Sequence, residues 1–163
     1  MYGRINVLAR QLVERCAESG LKVSTAESCT GGMISAAITA IPGSSAVIEL
    51  GICSYSNRIK HDVLGVSKET LDRFSEYSTA CAEEMARGAI MLSGADIAAA
   101  TSGIAGPDGG TEEDPVGTVY ICVADKDSCT SGRFLFDNKG RDYIRAAAAE
   151  KALEMLLEKI DRK

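Results

Sequence analysis

Histidine occurs once in the 163 residues, and that scarcity closes most routes to imidazole-based nucleophilic catalysis. Any serine–histidine arrangement would have to use His61. The six cysteines, at 16, 29, 53, 81, 122 and 129, include no C-x-x-C pair, so zinc-ligand spacing is lacking as well. Most of them lie inside apolar segments, which predicts free buried thiols in a reducing compartment rather than disulfides. No apolar run approaches the roughly 18–20 residues of a membrane span. The N-terminal "MYGRINVLAR" is amphipathic and lacks the apolar block and small-residue cleavage site of a signal peptide, so a cytoplasmic location is expected. Basic residues number 18 against 23 acidic ones, which argues against the positive face of a nucleic-acid binder. A net charge of −5 still accommodates an anionic small molecule, because one or two arginines in a pocket hold a phosphate. Internal repeats and low-complexity linkers are missing too.

What is present is enough for one domain, spanning 1–163, with a real core: 45% of the residues are hydrophobic. Ile5, Leu8, Leu12, Val13 and Cys16 follow helical spacing until Gly20. "LKVSTA" reads as a short strand, and "TGGMISAAITAI" as a helix from Thr30 that Pro42 and Gly43 end. "AVIELGICSYS" is a strand candidate, and "SNRIKHDVL" a short helix capped by Ser56 or Asn57. A longer helix covers roughly Thr79 to Leu92, ending near Gly94. "ADIAAATSGIA" has the continuous apolar character of a buried strand. "GPDGGTEEDPVG" is a loop, and "TVYICVAD" and "TSGRFLFD" are neighbouring strands joined by "KDSC". The last helix spans Arg141 to Ile160, with Ile144, Ala148, Leu153, Leu156, Leu157 and Ile160 on its apolar side. This alternation predicts an α/β fold, a three-layer α/β/α sandwich whose central sheet is largely parallel or mixed.

Three places could carry chemistry. In "STAESCTGG" (24–32), Ser28 and Cys29 sit where a strand gives way to a helix opening on Thr30, Gly31 and Gly32. A helix start offers unpaired N–H groups and partial positive charge, and the glycines admit a ligand close to the backbone. The turn suits an oxyanion or a phosphate, or Ser28 or Thr30 simply caps the helix. A nucleophilic serine needs a base, and besides His61 the chain offers Tyr55 and Lys60 in "YSNRIK". A desolvated lysine has a lowered pKa and acts as a base, with a tyrosine relaying the proton; taken alone, both are structural or surface residues. Their spacing differs from the Y-x-x-x-K pair of short-chain dehydrogenases, whose glycine fingerprint is also missing. "GIAGPDGG" (103–110) follows a strand but has no G-K-[ST], so it is either a ligand loop or a flexible connection, not a Walker loop. Arg141 is either a phosphate ligand or a solvated charge.

Read together, "TAESCTGG", "IPGSSAV", "YSNRIKHDVLGVS", "SGIAGPDGG", "PVGTVY" and "GRDYIRAAAAEKAL" resemble the CinA C-terminal-domain family, the nicotinamide-nucleotide amidases. They occur in the family's order and cover nearly the whole chain from about residue 5. The family is also called competence- or damage-inducible protein, a label for a genetic context rather than a chemistry. The resemblance implies that Ser28 attacks the carboxamide of nicotinamide mononucleotide, giving nicotinate mononucleotide and ammonia, with Lys60 and Tyr55 as proton-transfer partners. Helix-start amides near Thr30 to Gly32 would stabilise the oxyanion. Thr30, Gly31 and Gly32 would shape the turn, Ser102, Gly103 and Gly106 would line the substrate, and Arg141 would meet its anionic end. Neither metal nor organic cofactor is implied. The expected partners are the small nucleotide and further copies of the chain, a homo-oligomer, without nucleic acid or membrane.

Family members are stand-alone or fused behind a molybdopterin-binding-like domain, and a first motif at Thr25 implies the stand-alone form. Two rival readings are a nucleotide-binding or regulatory module that has lost turnover and a DNA-related interaction protein. Ser28, Tyr55 and Lys60 together favour the enzyme over the first, and a pI near 5.0 disfavours the second. Two departures from the family pattern stand out. "SEYS" (75–78) replaces G-A-V-S and brings a carboxylate and a ring to a loop, and Ser102 replaces a threonine while keeping a hydroxyl.

Overall fold

Short apolar strands alternating with amphipathic helices build a five-stranded sheet with helices on both faces. The structure is a computed structural model and describes residues 2–162. Its strands are β1 (Val23–Glu27), β2 (Ile48–Cys53), β3 (Ile97–Gly103), β4 (Thr118–Asp125) and β5 (Cys129–Leu135), in the order β2-β1-β3-β4-β5. β1 runs parallel to β2 and β3, whereas β4 is antiparallel to β3 and to β5, so the sheet is mixed. The β4–β5 pair is the hairpin expected from its turn.

The helices are α1 (Tyr2–Ser19), α2 (Met33–Thr39), α3 (Asn57–Asp62), α4 (Lys68–Phe74), α5 (Thr79–Ser93) and α6 (Arg141–Ile160). Strand side chains alternate in direction, so each central strand feeds two cores. Ile97, Ala99, Val119, Ile121 and Val123 join the apolar faces of α1, α2 and α6. Ala98, Ala100, Tyr120, Cys122 and Ala124 pack with Cys81, Met85 and Ala89 of α5. This is the three-layer α/β/α sandwich. Among the described residues no helix is long and apolar enough to cross a membrane.

Among the boundaries that differ from the sequence reading, two shape the turn after β1. β1 continues to Glu27, and α2 begins at Met33 instead of Thr30, because Gly31 and Gly32 take φ values of 60° and 92° before the helix starts. α4 has no counterpart among the expected elements; it is short and lies on the surface, with Thr70 its one buried residue. Gly88 explains how the chain after α3 is held. A Cβ there would lie 2.0 Å from the Leu64 carbonyl oxygen, so only glycine lets this segment seat on α5. All six cysteines are free; Cys16, Cys29, Cys81 and Cys122 are buried, Cys129 is half-buried, and Cys53 is exposed.

Candidate active site

The chain leaves β1 through α2 to reach β2 on one side, and then returns through α3, α4 and α5 to β3 on the other. In open α/β sheets, such a switch in direction opens a crevice at the carboxyl ends of the strands. Ser28 stands there, one residue beyond β1, with its amide donating to the Thr101 carbonyl of β3 at 2.9 Å.

Across from it, Ser56 caps α3 by accepting from the Ile59 amide, and this turns Lys60 inward. Lys60 is 1% exposed, and its Nζ donates to Ser28 Oγ at 3.2 Å and to the Tyr55 carbonyl at 3.2 Å. Burial pushes the ammonium below the ordinary lysine value; Cys81, Glu76 and Cys29 oppose that shift. Burial itself raises the Cys81 thiol to about 11 and the Cys29 thiol to about 12. Both thiols are therefore neutral near pH 7, and Glu76 is the one of the three that can bring a negative charge.

Tyr55 is divided between two tasks. Its carbonyl holds Lys60, while the residue as a whole is 61% exposed and its hydroxyl accepts from Arg141 Nη2 at 2.9 Å. The hydroxyl thus meets Arg141, not Ser28. Arg141 also donates to the Gly106 carbonyl at 2.7 Å, which ties α6 to the 103–110 loop. His61 is set apart, with Nδ1 2.7 Å from the Val66 carbonyl, an acceptor that requires the proton on that nitrogen.

Glu27 organises the turn. It is fully buried, and its Oε2 accepts from Thr30 Oγ1 at 2.7 Å and from the amides of Gly32 (3.1 Å) and Ile34 (3.0 Å). Its Oε1 accepts from the Ser35 amide at 2.9 Å, Ser35 Oγ at 3.0 Å and Thr25 Oγ1 at 3.2 Å. Thr30 spends its proton on Glu27, so Thr101 Oγ1, 2.8 Å away, donates to Thr30. The Gly31 amide bonds to the Ser28 carbonyl at 3.0 Å. The expectation of oxyanion donors from Thr30 to Gly32 is corrected accordingly: two of those three amides are already taken, Gly32 by Glu27 and Gly31 by Ser28.

The remaining expected residues are also placed by packing. Ser102 is fully buried, and its hydroxyl donates to the Glu76 carbonyl at 2.7 Å. A Cβ at Gly103 would lie 2.5 Å from the Thr118 carbonyl oxygen, so this glycine permits the close approach of β3 and β4. Gly106 has φ 76° and presents its carbonyl to Arg141.

Two residues escape the sequence reading. Glu27 stands inside "TAESCTGG" but receives no role there, because a carboxylate's partners are set by the folded turn. Arg145 donates through Nε to the Cys29 carbonyl and through Nη2 to the Thr30 carbonyl, both at 3.1 Å, clamping the 28–32 turn from α6. Its four-residue spacing from Arg141 on one helix was the available signal. Asp142 in the first turn of α6 lies 3.8 Å from Arg145 and offsets part of its charge, so Arg141, which has no carboxylate partner among the described residues, is the positive charge left beside the crevice. Among the described residues no group of three or more His, Cys, Asp or Glu gathers as a metal would need.

Comparison with known proteins gives a consistent picture. Residues 5–160 match the CinA C-terminal domain family. A CinA-like protein of Shewanella sediminis is 47% identical over 152 residues, 93% of this chain and 36% of that protein. The nicotinamide-nucleotide amidohydrolase PncC of Shewanella oneidensis is 46% identical over 149 residues, 91% of this chain and 35% of that protein. The chain therefore spans little more than a third of these curated relatives. The crystal structure of the competence/damage inducible protein CihA from Agrobacterium tumefaciens superposes with a TM-score of 0.93 at 44% identity, covering 95% of this chain and 94% of that one.

Proposed function

Since the chain belongs to the CinA C-terminal domain family, we propose that it hydrolyses the carboxamide of nicotinamide mononucleotide to nicotinate mononucleotide and ammonia. The observation that carries this reading is the Ser28 Oγ–Lys60 Nζ contact of 3.2 Å around an amine that is 1% exposed. The name of the Shewanella oneidensis relative supports the choice of substrate.

In this mechanism the neutral fraction of Lys60 takes the Ser28 proton as Oγ attacks the carboxamide carbon. The tetrahedral intermediate collapses as Lys60 returns the proton to the departing nitrogen, and ammonia leaves an ester on Ser28. Water, deprotonated by the same amine, attacks that ester; as the acyl–Oγ bond breaks, Lys60 passes the proton back to Ser28 Oγ and the acid leaves as its carboxylate, giving its own proton to solvent. Glu27 and Arg145 keep the turn rigid from opposite sides. Tyr55 acts through its carbonyl, which orients the amine, and through its exposed ring at the entrance. Arg141 carries the positive charge that the substrate phosphate meets.

The test is to incubate purified protein with nicotinamide mononucleotide and quantify ammonia together with the nicotinate nucleotide. Stoichiometric release of both supports the proposal; thermal stabilisation by the nucleotide without ammonia points to a binding module. Arg141→Ala is expected to raise KM by roughly 10-fold or more, with a smaller change in kcat, because a phosphate contact contributes to ground state and transition state alike. An unchanged KM would take Arg141 out of substrate binding.

A further inference from the structure

The 75–78 loop is built with strain and then anchored beside the nucleophile. Ser75 has φ 64° and ψ 173°, a backbone region that residues with side chains rarely occupy. The Tyr77 amide donates to Ser75 Oγ at 3.0 Å, and Ser78 Oγ donates to the Ser75 carbonyl at 2.9 Å. The bond from buried Ser102 to the Glu76 carbonyl then fastens the loop to the end of β3. Thr101, the neighbouring β3 residue, receives the Ser28 amide, so one strand end fixes both the nucleophile and the acidic loop.

Glu76 and Tyr77 are half-buried, and the Glu76 carboxylate has no hydrogen-bond or ion-pair partner among the described residues. Its charge nevertheless reaches the site, acting on Lys60, Tyr77 and Cys81. Tyr77 in turn is near enough to sense Tyr55 and Cys29. A half-buried carboxylate with no cation in contact among the described residues, held at the edge of a crevice, is a ready counter-charge for a cationic ligand.

We infer that Glu76 is a specificity-determining residue that selects substrates whose carboxamide is carried on a positively charged ring. This rests on the amidase reading and deepens it. The ring nitrogen of oxidised nicotinamide mononucleotide is quaternary and positive, whereas the 1,4-dihydro form has the same carboxamide and phosphate on a neutral ring. Glu76 therefore favours the oxidised substrate. The product keeps the positive ring but adds a carboxylate of like charge, so its attraction to Glu76 is weaker than the substrate's, and this assists release.

The experiment compares KM for the oxidised nucleotide with the inhibition constant of the reduced one, in wild type, Glu76→Gln and Glu76→Ala. Both variants are expected to raise KM about 5- to 20-fold, as loss of one partly screened charge contact would, while the inhibition constant changes less than about twofold. Equal effects on the two nucleotides, or no effect on either, would overturn the inference. The pH profile reports the same carboxylate at Lys60: without Glu76 the amine titrates at lower pH, so the rising limb of kcat moves downward. Absence of ammonia from the wild type would sink the amidase reading alone. Calorimetry with the two nucleotides then decides on Glu76: a preference for the oxidised form, lost in Glu76→Gln, sustains the inference, and equal or undetectable binding by wild type ends it.

Discussion

Ser28→Ala is expected to lower ammonia release from nicotinamide mononucleotide by about a thousandfold or more while the protein stays folded. Only the hydroxyl is lost, and alanine fits the 7% exposed position without a new polar group. Cys29→Ala supplies the control. That thiol is buried in the α1–α2–α6 core with its pKa raised to about 12 by burial, so it is not a thiolate near pH 7, and activity should stay within a few-fold of wild type. Lys60→Met keeps most of the stem and deletes the amine, and its kcat should fall by roughly 10²- to 10⁴-fold, the usual contribution of a positioned base. His61→Ala should retain most activity, since its ring is bound to Val66.

The same lysine gives a pH signature of known sign. Desolvation lowers its pKa in the folded protein, so the wild-type rate should climb with pH through a group titrating below the ordinary ~10.4. Between the lowered folded value and the unfolded value, the unfolded chain binds more protons, and stability rises with pH. That contribution is complete above the unfolded pKa and is lost as pH falls through the folded one. Lys60→Met lacks it, so its melting temperature relative to wild type should be most favourable at low pH and decline as pH rises across the window. A kcat profile unchanged in Lys60→Met would remove the amine from the mechanism.

The second large effect is expected at Glu27, and on stability first. Glu27→Ala strands the buried Ile34 amide and the part-buried Gly32 and Ser35 amides, while the Thr30 hydroxyl can turn to donate to Thr101 Oγ1. Each buried donor left without a partner costs about 1–3 kcal/mol, and a domain has only about 5–15 kcal/mol in all. The variant should therefore be marginally folded or unfolded at 37 °C. Glu27→Gln is the sharper probe. Its single oxygen can serve the Gly32 and Ile34 amides on the Oε2 side, and the hydroxyls of Ser35 and Thr25 can rotate to accept its NH₂. The Ser35 amide cannot rotate and would face another donor. One such conflict predicts a loss of about 1–3 kcal/mol, near 2–4 °C per kcal/mol for a chain of this size. Urea denaturation read by circular dichroism checks both values; a Glu27→Ala protein as stable as wild type would contradict this account of the turn.

Local pattern was sufficient for much of the fold. Helical spacing in α1 and α6, the glycine after α5, and the continuous apolar run of β3 record which side of each segment must leave water, and burial enforces that choice wherever the segment is placed. The order of the motifs, through the family they resemble, also brought Ser28, Tyr55, Lys60 and Arg141 forward as candidates. The strand order and the partners of polar groups could not be read this way, because they depend on crossovers between residues far apart in sequence. Lys60 reaches Ser28 across 32 positions, and Arg145 clamps Thr30 across 115. Tertiary structure alone turned the Tyr55 hydroxyl toward Arg141, used Ser102 to anchor Glu76, and assigned the helix-start amides to Glu27. A buried polar group must bond to whatever the fold brings within about 3 Å, and that neighbour is fixed only when all three layers have closed on the sheet.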